Sequence, residues 1–279
     1  LRTMRLAALP AGEKGSQGKQ HRGIFRYVSA QTGEQPLTRY QGAFQCRYGY
    51  GRAAESVNQG DSGQDFAAVR MDGNVCTFVM CDGVGMSYLG DFAARFLGNA
   101  LLEWLGMTPN PTAEAVEQLL HELTTPASEQ LEKIQPLESS PLLLREVLME
   151  KRNRGSQAMY VCGRIELSRG SGKSRMWVAW QGDSRIRLWR NGQEQSGAFQ
   201  IHCRTNERWS TREGPVGGKP HIYEAKLSNE RIRLQLYTDG LNDLDAIQAY
   251  IPDEHIQVLL DATHTGGLED DAAFIELEW

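Results

Sequence analysis

The chain has no Cys-x-x-Cys pair, no clustered histidines and no long apolar run, and each absence closes off a class of protein. Its five cysteines, Cys46, Cys76, Cys81, Cys162 and Cys203, are scattered and odd in number. Most lie inside apolar stretches such as NVCTFVMC and MYVCGR, which reads as reduced, buried thiols rather than a disulfide framework. His202 beside Cys203 has no further partner at ligand spacing, so a structural zinc site is not expected. No stretch approaches the roughly 20 apolar residues of a membrane span. The apolar part of LRTMRLAALPAGEKGSQGKQ is too short for a signal-peptide core. The expectation is a cytoplasmic protein with no membrane partner. Positive charge is also scarce, with 30 Lys and Arg against 35 Asp and Glu and a net charge of −5. That balance argues against a nucleic-acid partner, whose phosphates would have to be neutralised. A nucleotide loop is missing too: GSGKS at 170–174 looks like the end of a P-loop, but Leu167 stands where that motif requires glycine.

What is present is strand-like material on either side of a helical middle. Runs at 43–50, 66–71 and 75–81 are apolar and short. From Ser87 the period changes, with Leu89, Phe92, Ala93, Phe96, Leu97, Ala100, Leu101 and Leu105 spaced by three and four, as in an amphipathic helix. Helical stretches follow at 112–134, interrupted near TTPAS at 124–128, and at 141–152, with Pro126 and Pro141 marking breaks or starts. Strands return at 156–167, 175–183, 185–190 and 231–240; a helix at 241–262 and a strand at 272–279 close the chain. Helices segregated from blocks of antiparallel strands predict an α+β fold. Residues 43–279 read as one domain. Residues 1–42 read as an N-terminal arm, partly flexible because 11–22 are polar and rich in Gly, Gln and Lys.

Several of the strands end on an acid. TFVMCDGVGM at 77–86 runs into Asp82-Gly83, WVAWQG into Asp183 and LQLYT into Asp239; Asp270-Asp271 precede the last strand, and Asp65 precedes the one at 66–71. Asp-Gly alone is also a common hairpin turn, and each acid taken singly is equally well read as a turn or cap. As a set they stand where loops from one rim of a sheet converge. All-oxygen donors suit hard divalent cations such as Mg²⁺ and Mn²⁺, and a glycine after the acid lets the backbone carbonyl approach a metal.

In order, FVMCDGVGMSYLGDFAARFLGNALLEWL, GSQAMYVCGRI, VAWQGDSRIRLWRNGQ, LQLYTDGLNDL and EDDAAFIEL resemble the metal-dependent protein phosphatases of the 2C type (the PPM family) from about residue 43 onward. The resemblance implies two packed antiparallel β-sheets flanked by helix pairs, with two and in some relatives three Mn²⁺ or Mg²⁺ ions at one end. It implies that Asp82 bridges two metals, that the Gly83 carbonyl reaches one of them, and that Asp239 and Asp270 are further ligands. Asp65 matches the acid of the first motif, and Asp183 and Asp243 match the positions that hold a third metal. The implied activity is hydrolysis of phosphoserine or phosphothreonine on proteins by a metal-bridged hydroxide, with Asp82, Asp239 and Asp65 as the catalytic set. The implied partner is a phosphorylated protein, the target of a Ser/Thr kinase. No phosphoenzyme is required, so the cysteines stay structural.

The first motif departs from the pattern. The arginine that grips the substrate phosphate would fall near Gly60, and Gln64 stands where glutamate is common. Arg47 and Arg52 lie upstream and are the candidates for the phosphate grip. Val84 stands where some relatives have histidine, and Met86 and Gln157 replace a glycine and a threonine. About 55 residues separate Asp183 from Asp239, so the substrate-side flap is short. Alternative readings are a catalytically weak member of this fold used for binding or sensing, or a phosphatase acting on a small molecule.

Overall fold

The computed structural model describes residues 23–134, 142–168, 173–200, 204–227, 230–261 and 267–279. In chain order the elements are β1 Phe25–Val28, β2 Gln35–Gln41, β3 Gln45–Gly51, α1 Ala54–Gln59, β4 Phe66–Asp72 and β5 Val75–Gly83. Four helices follow, α2 Gly90–Met107, α3 Ala113–Glu122, α4 Thr124–Lys133 and α5 Leu142–Arg154. Then come β6 Gln157–Glu166, β7 Ser174–Gln181, β8 Arg185–Arg190, β9 Gln193–Glu194, α6 Gly197–Gln200, β10 Arg208–Ser210, β11 Gly214–Val216, β12 His221–Leu227 and β13 Ile232–Tyr237. A 3₁₀ helix at Asp239–Ala246, α7 at Asp253–Leu260 and β14 at Ala272–Glu278 complete the chain. Sheet A contains β1, β4, β5, β6, β7, β10, β11 and β12; sheet B has the order β2-β3-β14-β13-β8-β9. The paired strands of both sheets run antiparallel, so the α+β, two-sheet architecture expected from the sequence is the one observed.

The layering follows from the two-residue period of each strand. In β5, Cys76, Phe78 and Met80 face sheet B, while Val79 and Cys81 face the helices. A strand buried on both faces reads as a continuous apolar run, which is what Val75–Cys81 is. On sheet B, Leu234, Leu236, Ile275 and Leu277 meet that inter-sheet layer. On the outside of sheet A, Leu97, Leu101 and Leu105 of α2 pack on Phe66, Val79 and Trp209. On the outside of sheet B, Leu244 and Ile256 pack on Tyr237 and Phe274. Cys46, Cys76, Cys81 and Cys162 are free and buried, and burial pushes their thiols well up, as structural cysteines require. His202 and Cys203 lie outside the described residues.

Residues 25–28 and 35–41, placed in the arm, are the strands β1 and β2, paired with β4 and β3. The interruption expected near 124–128 falls at Leu123, where α3 gives way to α4. Pro126 sits in the first turn of α4, where a helix has N–H groups to spare. The helix expected over 241–262 is a 3₁₀ segment ending at Ala246 and a separate α7. Pro252 enforces the gap, because it immediately precedes α7 and holds extended backbone there.

Among the described residues no helix is long and apolar enough to cross a membrane.

Candidate functional site

Strand pairing brings the predicted acids to one end of the sandwich. Phe66 at the start of β4 pairs with Cys81 near the end of β5. Tyr237 at the end of β13 pairs with Phe274 near the start of β14 and with Arg185 at the start of β8. Asp65, Asp82, Asp183, Asp239, Asp270 and Asp271 therefore share a rim.

Side-chain alternation then decides which way they point. Asp82 has the same parity in β5 as Phe78 and Met80, and Asp65 the same parity as Ala67 and Val69, so both continue the inter-sheet layer. The cluster is the polar end of the core. Burial raises the carboxyl of Asp65 well above its ordinary value, and Asp82, Asp271 and Asp270 add to the rise. Burial likewise raises Asp82, reinforced by Asp239, Asp183, Asp270 and Asp271. Asp183 and Asp270 are raised by burial first, with Asp239 adding to both. Carboxylates from both sheets thus feel one another across the gap. Their side chains do not close on a common point: among the described residues no three His, Cys, Asp or Glu groups stand close enough to hold one metal ion.

Hydrogen bonds across the sheets set the frame. The Thr238 hydroxyl donates to Asp65 Oδ2 at 2.6 Å and accepts the Ala273 N–H at 2.8 Å. Asp271 accepts the N–H of Ala53 at 2.7 Å and of Gln64 at 2.6 Å, pinning the backbone on either side of the first motif to β14. The Gln31 side chain donates to the Asp65 carbonyl at 2.5 Å. Thr238, Asp271 and Gln31 are positioning residues that sequence reasoning missed. The Thr-Asp-Gly element did contain Thr238, but nothing in it signals a partner 173 residues away. Asp271 was indistinguishable from its neighbour Asp270.

Close packing fixes Gly83 as well. A Cβ there would stand 2.5 Å from the Gly90 carbonyl carbon, 2.6 Å from its oxygen and 2.9 Å from the Gln64 carbonyl oxygen. Gly240, after Asp239, is equally constrained, since a Cβ would meet the Asp271 carbonyl oxygen at 2.2 Å. The loop after Gly83 is tied down by Val84 N–H to Gln157 O at 3.0 Å and by Ser156 Oγ to Leu89 O at 2.6 Å.

The other predicted residues separate into those beside the cluster and those away from it. Asp243 is exposed on the 3₁₀ segment and is not among the principal causes of any of these shifts. Arg47 does not reach the site. Its guanidinium grips Glu276 at 2.8 and 2.7 Å and Asp253 at 2.7 Å on the outer face of sheet B. Its alternation in β3 is opposite to that of Cys46, which faces the core. Arg52 runs its stem past Gly63, and its head binds Glu34 Oε1 and the Asp61 carbonyl, both at 2.9 Å. Neither guanidinium is directed at the carboxylate cluster. The arginine position near Gly60 is taken by the left-handed C-cap of α1, φ 71°, which favours glycine. Beside Asp183 a cleft of about 540 Å³ opens, floored by Trp180 and Phe199 and edged by Arg185 and Asp245.

No family model and no curated protein matches the sequence. Among solved structures, the fold is similar to that of the serine/threonine phosphatase Stp1 from Staphylococcus aureus, at 17% identity over 88% of this chain and 97% of that one, TM-score 0.52. It is also similar to a bacterial serine phosphatase bearing a single arginine substitution, at 16% identity over 84% of this chain and 97% of that one, TM-score 0.50. At these identities what is shared is the fold: two antiparallel sheets with helices outside them, the architecture of bacterial serine/threonine phosphatases.

Proposed function

We propose that this chain is a metal-dependent phosphatase acting on phosphoserine and phosphothreonine in proteins. The observation behind the reading is the burial of mutually repelling carboxylates from both sheets at one rim, raised by burial and by each other. Divalent cations relieve the repulsion within such an arrangement. The donor set fits hard cations: carboxylates, the Gly83 carbonyl and no thiol, since Cys81 points into the helical layer. In this reading Asp82, between the two sheets, would be shared by two Mn²⁺ or Mg²⁺ ions, with Gly83, Asp239 and Asp270 as further ligands. Asp65 sits beside them, and Asp183 and Asp243 are the candidates for a third ion.

Two cations held there would supply an activated water and charge neutralisation for an in-line attack on phosphorus. The chain's own residues do the positioning. Thr238 and Gln31 hold Asp65, Asp271 holds the backbone of Ala53 and Gln64, and the contact of Gly83 with Gly90 fixes the end of β5.

A second reading has its own support. Neither Arg47 nor Arg52 presents its guanidinium to the cluster, so a weakly catalytic binding module is the alternative. Hydrolysis of p-nitrophenyl phosphate and of a phosphothreonine peptide, with Mn²⁺ or EDTA, separates the two. Turnover that requires Mn²⁺ and is lost in Asp82→Asn supports the enzyme. Mn²⁺ binding by calorimetry without turnover supports the binding module.

A further inference from the structure

Among the described residues, α7 and the 3₁₀ segment cover the outer face of sheet B at the end nearest the acid cluster, where they lie on Tyr237, Ala272 and Phe274. Farther along, the strand register carries a charged row across five strands. Arg39 stands opposite Arg47, Arg47 opposite Glu276, Glu276 opposite Gln235, and Gln235 opposite Arg187. Two arginines directly opposite each other disfavour strand pairing unless another group offsets them. Asp253 does so, accepting from Arg39 at 2.5 Å and from Arg47 at 2.7 Å. Glu276 accepts from Arg47 and lies 3.7 Å from Arg233, while Glu278 accepts from Arg233 at 2.9 Å and from Arg231 at 2.6 Å. Four guanidiniums thus share three carboxylates. The Tyr250 ring takes two of them, with Arg47 and Arg233 at 4.8 and 4.6 Å from its centroid.

Around these groups opens a cleft of about 380 Å³, remote from the acid cluster and bordered by Tyr250. The arginines at its base are locked in place. Those at its mouth, Arg39 and Arg231, have side chains 49% and 68% exposed. On a chain of net charge −5 this is a local excess of positive charge.

We propose that this cleft docks an acidic segment of a partner protein, a role that stands whether or not the chain hydrolyses phosphate. The planar guanidinium fork matches a carboxylate, and arginines already held by their neighbours lose little freedom on binding. The width of the row suits a peptide. β2, which carries Arg39, and β13, which Arg231 adjoins, lie three strand spacings apart in the order β2-β3-β14-β13, about 14 Å between backbones. An extended chain with acidic residues at intervals spans that width, its side-chain stems meeting Tyr250.

The test is fluorescence anisotropy on the full chain in EDTA, which keeps cations at the acid cluster from recruiting the probe. The probes are a labelled ten-residue peptide alternating Glu and Ser, its Lys counterpart, and a ten-nucleotide single strand. The Glu peptide is expected to bind, to weaken as salt rises, and to lose at least tenfold in affinity when Arg39→Glu and Arg231→Glu are combined. The Lys peptide should not bind. Both positions are exposed, and a melting curve establishes that the double variant is folded; if it is not, Arg39→Gln with Arg231→Gln replaces it, with at least a threefold loss expected. Equal affinity for wild type and folded variant, no binding of the Glu peptide at millimolar concentration, or tighter binding of the nucleotide strand would overturn the proposal.

Discussion

Gly83→Ala and Gly85→Ala differ by two positions and are expected to behave oppositely. At Gly83 the new methyl would meet three backbone atoms at 2.5, 2.6 and 2.9 Å. None is the free end of a flexible side chain, so relief requires nearly an ångström of main-chain movement between the end of β5 and the start of α2. Overpacking of this kind costs about 3 kcal/mol, or about 6–12 °C of melting temperature for a chain of this size. The movement also displaces the Asp82 carboxylate, and a misplacement of about 1 Å costs on the order of 100-fold in turnover. At Gly85 the nearest atom would be Gln64 Oε1 at 3.6 Å, an ordinary contact, and the variant should melt within about 2 °C of wild type. Differential scanning fluorimetry reads the first effect, and Mn²⁺-supported p-nitrophenyl phosphate turnover reads the second. A Gly83→Ala protein with wild-type melting and turnover would show that the packing argument, and with it the placement of Asp82, is wrong.

Two further outcomes follow from the electrostatics. In EDTA, Asp65 and Asp82 are held above the ordinary carboxylate range, chiefly by burial. Between the unfolded value, near 4, and the raised folded one, the folded state binds the extra protons, so stability falls as pH rises through that window. Melting temperature in EDTA should therefore increase from pH 7 toward pH 5, and Asp82→Asn should flatten the slope; an unchanged slope would refute the coupling. Below that range the trend reverses, because Arg187 holds Glu194 below its ordinary value and that stabilisation is lost on acidification. Arg47→Met should leave Glu276 buried without its bidentate partner, a loss of about 3–5 kcal/mol, while KM for p-nitrophenyl phosphate stays unchanged. A tenfold rise in KM with unchanged melting would restore Arg47 as a phosphate grip.

The sequence by itself determined the class of fold, because two physical signals are written locally. The short continuous apolar run Val75–Cys81 and the three-four repeat from Leu89 to Leu105 appear in the structure as β5 and α2. It also marked the acids that close several strands, because a polar residue ending an apolar run is visible without knowing what lies opposite. Where such signals are weak, local reading failed: β2 carries Pro36 and alternates imperfectly, and the 3₁₀ segment at Asp239 looks like the start of a longer helix. Only the tertiary structure decided what the acids and arginines face. Strand parity and antiparallel register bring Asp65 and the Gln64 backbone, beside sheet A, to Thr238 and Asp271, beside sheet B, pairings 173 and 207 residues apart in the chain that no local pattern encodes. The same register turns Arg47 outward to Glu276 and away from the acids. A one-residue shift of parity would have reversed both outcomes, since it moves every side chain of a strand to the opposite face.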